Sequence, residues 1–158
     1  MCNQCPLRSG LIVLGGGSEI GIAIAREFVA RGARAVVLAG RDQAQMRAQA
    51  LEAGIGVQIR TCNFDARQTE SHVLAIEEAF TLAGEAQAVV LAFGVLGDTR
   101  SYEANPALAG GAVITNFAGG VTASLATVRA LARQAQPGTL VVLSSAATLR
   151  PRPSNYIY

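Results

Sequence analysis

The sequence predicts an α/β fold, a doubly wound parallel sheet of about five strands with flanking helices, and three observations predict it. Short apolar runs alternate with longer helical ones, which is the order of βαβ units. Apolar residues make up 51% of the 158 and charged residues 15%, a balance that suits a sheet buried on both faces. The first strand also runs directly through a glycine-rich turn into a helix, as "LIVLGGGSEIGIAIA".

The elements follow in order. "LIVLG", Leu11 to Gly15, reads as a buried strand. A helix runs from about Ser18 to Arg31 with Ile20, Ile24, Phe28 and Val29 on its apolar face, and Gly32 stops it. "RAVVLAG" is the second strand; Asp42 caps a helix that runs to about Ala53, with Gly54 as the stop. "GVQIRTCNF" is the third strand, and a third helix covers about Gln68 to Ala83 before Gly84. "AVVLAFG" is wholly apolar and is expected at the centre of the sheet. A loop through Asn105-Pro106 leads to a long helical stretch ending at Gln136, broken by Pro137-Gly138, and "TLVVLSS" is the fifth strand. Right-handed crossovers between such units wind the sheet in both directions.

Composition excludes several functions. A net charge of +2 and 5% aromatic residues with no Trp supply neither the basic stripe nor the stacking platform of a nucleic-acid reader. No apolar run reaches the roughly 18 residues that span a bilayer, and "MCNQCPLRSG" lacks the apolar core of a signal peptide, so the expected compartment is the cytoplasm. Three cysteines without framework spacing do not suggest a disulfide scaffold. Cys2 and Cys5 form a C-x-x-C with no second pair to complete a metal site. Residues 1–10 are expected to be a flexible terminus, and no metal is expected.

The glycine turn carries the chemistry. Gly15 lets the chain turn sharply as it leaves the strand, and Gly21 lets the helix pack close to the sheet. Backbone N–H groups and the positive end of the helix dipole then face a pyrophosphate. The strand before and the helix after give the context that a bare glycine motif lacks. No G-K-[ST] follows, so this is not a Walker loop. At the end of the second strand stands Gly40-Arg41-Asp42, where an acid would select a ribose hydroxyl and an arginine a 2′-phosphate. The local reading favours NADPH, with NADH open; alternatively Arg41 is solvated and Asp42 only caps a helix.

At this point the chain resembles the short-chain dehydrogenase/reductase (SDR) family, with its Rossmann-type sheet. "GGGSEIG" stands where the family has its glycine loop, Asp65 in "CNFDA" where an aspartate contacts the adenine, and "LAFG", Leu91 to Gly94, in place of Asn-Asn-Ala-Gly. Asn116 lies in the long helix, Ser145 ends the fifth strand, and Tyr158 follows at the family's spacing (158 − 145 = 13). Two departures stand out. Glu19 replaces a glycine and must point away from the pyrophosphate, and "LAFG" lacks the asparagines that brace the central strand, so another group must do so. "GGxSEIG", "FDA…SH…EAF", "LGD" and "SSAA…RxSNxxY" narrow the resemblance to decaprenylphosphoryl-2-keto-ribose reductases. These act in cell-wall arabinan precursor synthesis, beside a flavin-dependent oxidase.

The resemblance implies NAD(P)H-dependent reduction of a keto group. Nucleotide contacts fall to Gly15, Ser18, Ile20, Gly21, Arg41, Asp65 and Gly94. Ser145 would bind the carbonyl oxygen, Tyr158 would supply the proton, and Asn116 would hold a water of the proton relay. A free phenol has a pKa near 10, and the family lowers it with a lysine four residues after the tyrosine. The chain ends before that position, so residues 11–158 are expected to be the N-terminal part of one domain of a longer, homo-oligomeric reductase. The alternative is a dinucleotide-binding module without catalysis. The long helix, apolar at Val113, Ile114, Phe117, Val121, Leu125, Val128 and Leu131, would join the subunit interface. His72 is expected on the surface of the third helix, and Arg150 and Arg152 are loop charges that could face the phosphate of a lipid-linked sugar. Such a substrate would bring the protein to the membrane periphery.

Overall fold

The computed structural model describes residues 10–150, 152 and 156–158; Cys2 and Cys5 lie outside them. Five parallel strands form one sheet in the order β3-β2-β1-β4-β5: β1 (Gly10–Leu14), β2 (Val36–Gly40), β3 (Ile59–Asn63), β4 (Ala86–Leu91) and β5 (Thr139–Val142). The chain steps outward from β1 to β3, then returns to the other side of β1 as β4. That reversal opens a crevice at the carboxyl ends of β1 and β4, the place where open α/β sheets bind ligands. The fourth strand is interior, as its apolar run suggested: β4 lies between β1, the middle strand, and β5.

Alternation along the strands divides the core between two faces. Ile12 and Leu14 pack with Val37, Ala39, Val89 and Leu91 on one face; Leu11 and Val13 pack with Val36, Leu38, Ala88 and Val90 on the other. All four β1 side chains from Leu11 to Leu14 are fully buried, each worth roughly 1.5–3 kcal/mol. Helices α1 (Glu19–Ala30) and α2 (Gln43–Glu52) cover the second face through Ile22, Ala25, Met46 and Ala50. Helix α3 (His72–Ala83), entered by a 3-10 turn at Thr69–Ser71, covers the first face through Ile76 and Ala79.

The expected face of α1 needs one correction. Gly21, Ile22 and Ala25 make its buried stripe, Ile24, Phe28 and Val29 are half-buried, and Ile20 is exposed. A Cβ on Gly21 would lie 2.9 Å from Val13 Cγ1, so the helix sits too close to the sheet for a larger residue on that line.

The stretch before Asn105 is not all loop: α4 (Thr99–Ala104) forms there, capped by Asp98, whose carboxylate accepts from the Ser101 N–H at 3.0 Å. The long helical stretch is α5 (Ala107–Val113), a π turn (Ile114–Ala118) and α6 (Gly119–Leu131). Taken together, residues 107–131 are long and apolar enough to cross a membrane by length and composition, contrary to the expectation that no stretch would be. One side of this stretch packs on the protein, burying Ala112, Thr115, Gly119, Ala123 and Thr127. The other side is apolar and open, with Phe117 70% exposed and Leu125 67%. Strand β5 leaves Val142 54% exposed at the sheet edge.

His72 is not a surface residue. It is 1% exposed, stacked on Phe64 with ring centroids 4.8 Å apart, and bonded at both ring nitrogens. Cys62 is also buried, and its thiol is pushed up to about 12 by burial and then by the nearby Glu78 charge. At physiological pH it is a core residue rather than a nucleophile.

Candidate dinucleotide and carbonyl site

Two clefts meet at the carboxyl ends of the strands. The larger, about 810 Å³, is lined by the glycine turn (Gly15, Gly17, Ser18), the β2 tip (Gly40, Arg41, Asp42), the turn after β3 (Phe64, Asp65, Ala66, Arg67) and the segment after β4 (Ala92 to Val95). The smaller, about 470 Å³, is lined by Ile20, Leu96, Leu143, Ser144, Ser145, Ala147, Arg152 and Tyr158. Ser18, Ala92, Phe93 and Gly94 line both, so one elongated ligand could run between them.

The glycine turn is built by local bonding. The N–H groups of Gly15 and Gly16 both donate to Ala39 O, at 2.8 and 2.9 Å, and Ser18 N–H donates to Gly15 O at 2.9 Å. Gly15 has a φ of +87°, a region that disfavours L side chains. Ser18 caps α1, its Oγ accepting from Gly21 N–H at 3.3 Å. Ile22 N–H then makes the first intrahelical bond, to Ser18 O. The helix supplies no acceptor for the N–H groups of Glu19 and Ile20, which leaves two donors at the positive end of the dipole. Glu19 is exposed and lines neither cleft, so its carboxylate stays clear of an anion there. A glycine cradle that a Cβ would fill, with amide donors at a helix start, fits a pyrophosphate.

At the β2 tip, Asp42 Oδ1 accepts from Gln45 N–H at 2.9 Å and caps α2, while Arg41 is exposed at the cleft wall. Asp65 Oδ1 accepts from Arg67 N–H at 3.0 Å, which fixes the turn that carries both. Arg67, Phe64 and Phe93 line the cleft without having been singled out from sequence. Arg67 lies two residues past Asp65 on the same turn, and that adjacency was the available sign.

Asn116 lies in the π turn, a feature frequent at functional sites. Its side chain clamps Val95: Val95 N–H donates to Oδ1 and Nδ2 donates to Val95 O, both at 2.8 Å. This clamp grips the segment after β4 and not the strand itself. Asn116 lines neither cleft.

Ser145 follows β5, and its Oγ accepts from Ala147 N–H at 3.1 Å, capping a 3-10 turn (Ala146–Thr148). Tyr158, 47% exposed, lines the same cleft as Ser145. Arg152 also lines that cleft. Of the residues singled out from sequence, Gly15, Ser18, Ile20, Arg41, Asp65, Gly94, Ser145 and Tyr158 line the joined clefts; Gly21 and Asn116 support them from behind.

A doubly wound sheet with a glycine cradle at its switch point defines an α/β protein of the nucleotide-binding architecture. Residues 10–158 match the family model for short chain dehydrogenases, and the chain belongs to that family. It is 45% identical over 154 residues to an uncharacterized oxidoreductase of Streptomyces coelicolor, covering 97% of this chain and 60% of that protein. It is 34% identical over 148 residues to an uncharacterized oxidoreductase of Mycobacterium tuberculosis, covering 94% of this chain and 59% of that one. Among solved structures, actinorhodin polyketide ketoreductase with NADPH superposes with a TM-score of 0.83 at 22% identity, covering all of this chain and 60% of that one. A short chain dehydrogenase of Shigella flexneri complexed with NADP gives 0.81 at 23%, covering 99% and 67%. The chain thus spans about 60% of the length of the curated relatives it matches.

Proposed function

We propose that the protein is an NAD(P)H-dependent reductase of a keto group, with the glycine cleft holding the nucleotide and the smaller cleft the ketone. One observation carries the reading: Ser145 and Tyr158 line a cleft that shares Ser18, Ala92, Phe93 and Gly94 with the glycine cradle. A reduced nicotinamide, when bound, supplies the hydride. The chain's own residues do the rest. Gly15 and Ser18 shape the cradle, Ile20 offers its amide, Gly21 seats the helix, and Asp65 and Gly94 bound the adenosine and nicotinamide ends. Ser145 Oγ donates to the carbonyl oxygen and Tyr158 delivers the proton to it, while Asn116 acts from behind the clefts by clamping Val95.

The finer reading is a lipid-linked substrate, the 2-keto sugar of a decaprenylphosphoryl pentose, made by a flavin-dependent oxidase partner. The motif "RxSNxxY" and the position of Arg152 on the smaller cleft support it, because a guanidinium there suits a phosphate. On this reading the enzyme is cytoplasmic, touches the membrane periphery, and is a homo-oligomer joined through the open side of α5 and α6. The domain starts near residue 11 and continues beyond Tyr158. The test is to incubate the full-length protein with NADPH and either this keto sugar or a neutral ketone of similar size. Turnover of the phosphoryl sugar alone is expected. Turnover of neutral ketones alone leaves a general ketoreductase, and tight nucleotide binding with no turnover leaves a binding module.

Cofactor choice gives a separate prediction. Arg41 at the cleft wall favours a 2′-phosphate, although the narrower resemblance implies NADH. Replacing Arg41 with Ser should weaken NADPH about tenfold and leave NADH within about twofold, because one charge-assisted bond is lost. Fluorescence titration of both nucleotides at constant salt reads the ratio. Equal loss for both would remove Arg41 from the phosphate.

A further inference from the structure

We propose that His72 is a positioning residue for the adenosine end of the cleft, tying the Asp65 turn to the long helix. The inference rests on the nucleotide reading above. His72 Nε2 lies 3.0 Å from Asp65 O, and Nδ1 lies 2.8 Å from Thr122 Oγ1 on α6. A carbonyl oxygen only accepts, so Nε2 carries a hydrogen and donates to Asp65. The ring also stacks on Phe64, which in turn lies 5.4 Å from Phe93.

The turn is held on its other sides as well. Phe64 N–H donates to Gly40 O at 3.2 Å. The backbone at Gly119 presses so close that a Cβ there would lie 2.4 Å from Ala66 O. Phe64, Asp65, Ala66 and Arg67 all line the larger cleft, so His72 sets the wall from behind while touching no ligand itself. None of Phe64 to Arg67 lines the smaller cleft, so a shift of this turn acts directly on the adenosine end and reaches the Ser145 end only indirectly, through Phe93. That asymmetry separates positioning from a general contribution to stability.

The experiment uses the full-length protein and measures dissociation constants for NADPH, ADP and reduced nicotinamide mononucleotide, with the melting temperature of each variant. His72→Leu should weaken NADPH and ADP about tenfold and the mononucleotide less than about twofold, through loss of both ring hydrogen bonds and of the hold on the turn. His72→Gln, whose amide can return a donor to Asp65 O, should recover ADP affinity to within about threefold of wild type. A folded His72→Leu with unchanged ADP affinity overturns the proposal, as does equal loss for both halves of the nucleotide or a Gln variant no better than Leu. Should His72→Leu not fold, Thr122→Val decides: it keeps the Asp65 bond and removes the ring's other anchor. About threefold weaker ADP with unchanged mononucleotide binding is expected there, and unchanged ADP binding overturns the proposal. Wild-type protein that binds neither NADPH nor ADP would instead refute the nucleotide reading.

Discussion

Replacing Tyr158 with Phe in the full-length protein is expected to lower kcat for ketone reduction about a thousandfold, with nucleotide affinity within about twofold. The substitution removes one oxygen and keeps the ring, so cleft shape and apolar contact stay nearly the same. On the proposed mechanism what is lost is the proton donor at the carbonyl oxygen, a group used only as charge develops there, and such losses appear in kcat rather than KM. A phenol with a pKa near 10 moves protons slowly at neutral pH. A cation about 4 Å away, at an effective dielectric of about 20, favours the phenolate by roughly 4 kcal/mol. On the proposed reading the rate therefore depends on a fixed positive charge near the phenol. Absorbance of the reduced nicotinamide reads kcat, and a parallel titration reads affinity. A Phe variant retaining a tenth of the wild-type rate would remove Tyr158 from the proton path. Ser145→Ala in the same assay should fall less far, because an adjacent donor or water can partly replace one hydrogen bond.

The parts of the fold that were legible in sequence are those with local causes. Strands β1, β2 and β4, buried on both faces, leave apolar runs, and all five strands were placed; the end of β2 and the start of β5 fall where they were read, and the other ends moved by one to three residues. Helix starts at Ser18 and Asp42 were legible because a side-chain oxygen caps its own helix within three residues. Helix α4 escaped because "TRSYEA" has only one buried residue, Tyr102, and hence no period to find. Its cap, Asp98 three residues before Ser101, was the available sign.

The site divides in the same way. The glycine turn follows from steric rules confined to one strand and one helix, and its residues line the cleft as expected. His72 was misplaced because its burial is tertiary. Its partners are Phe64, Asp65 and Thr122, the last 50 residues away, and nothing in "ESHVLA" marks the ring as enclosed. The clamp of Asn116 on Val95 joins residues 21 apart, across a π turn that no local pattern announces. Ser145 and Tyr158 were legible only through resemblance. Their shared cleft is formed where β5 ends, and a spacing of 13 by itself specifies no contact.

Replacing Gly15 with Ala should abolish measurable nucleotide binding and destabilise the protein by about 3–4 kcal/mol. Two costs combine. The φ of +87° charges an L residue roughly 1–2 kcal/mol. The new Cβ would stand 2.8 Å from Phe93 N and 2.9 Å from Ala92 C. Those are backbone atoms of the segment shared by both clefts, so they cannot swing aside as a side-chain tip would. Relief requires the turn to move off Ala39 O, which holds Gly15 and Gly16 by two hydrogen bonds, or requires the Ala92–Phe93 segment to retreat. Either shift spoils the cradle. With a total stability of about 5–15 kcal/mol, the loss should lower Tm by roughly 6–16 °C for a domain of this size. Gly17→Ala is the control for stability: its added Cβ meets only side-chain atoms, Gln49 Oε1 at 3.6 Å and Met46 Cγ at 3.8 Å, and its Tm should stay within about 2 °C of wild type. Calorimetry and NADPH titration on both variants check the pair, and a Gly15→Ala protein that melts with wild type would mean the turn is not held as described.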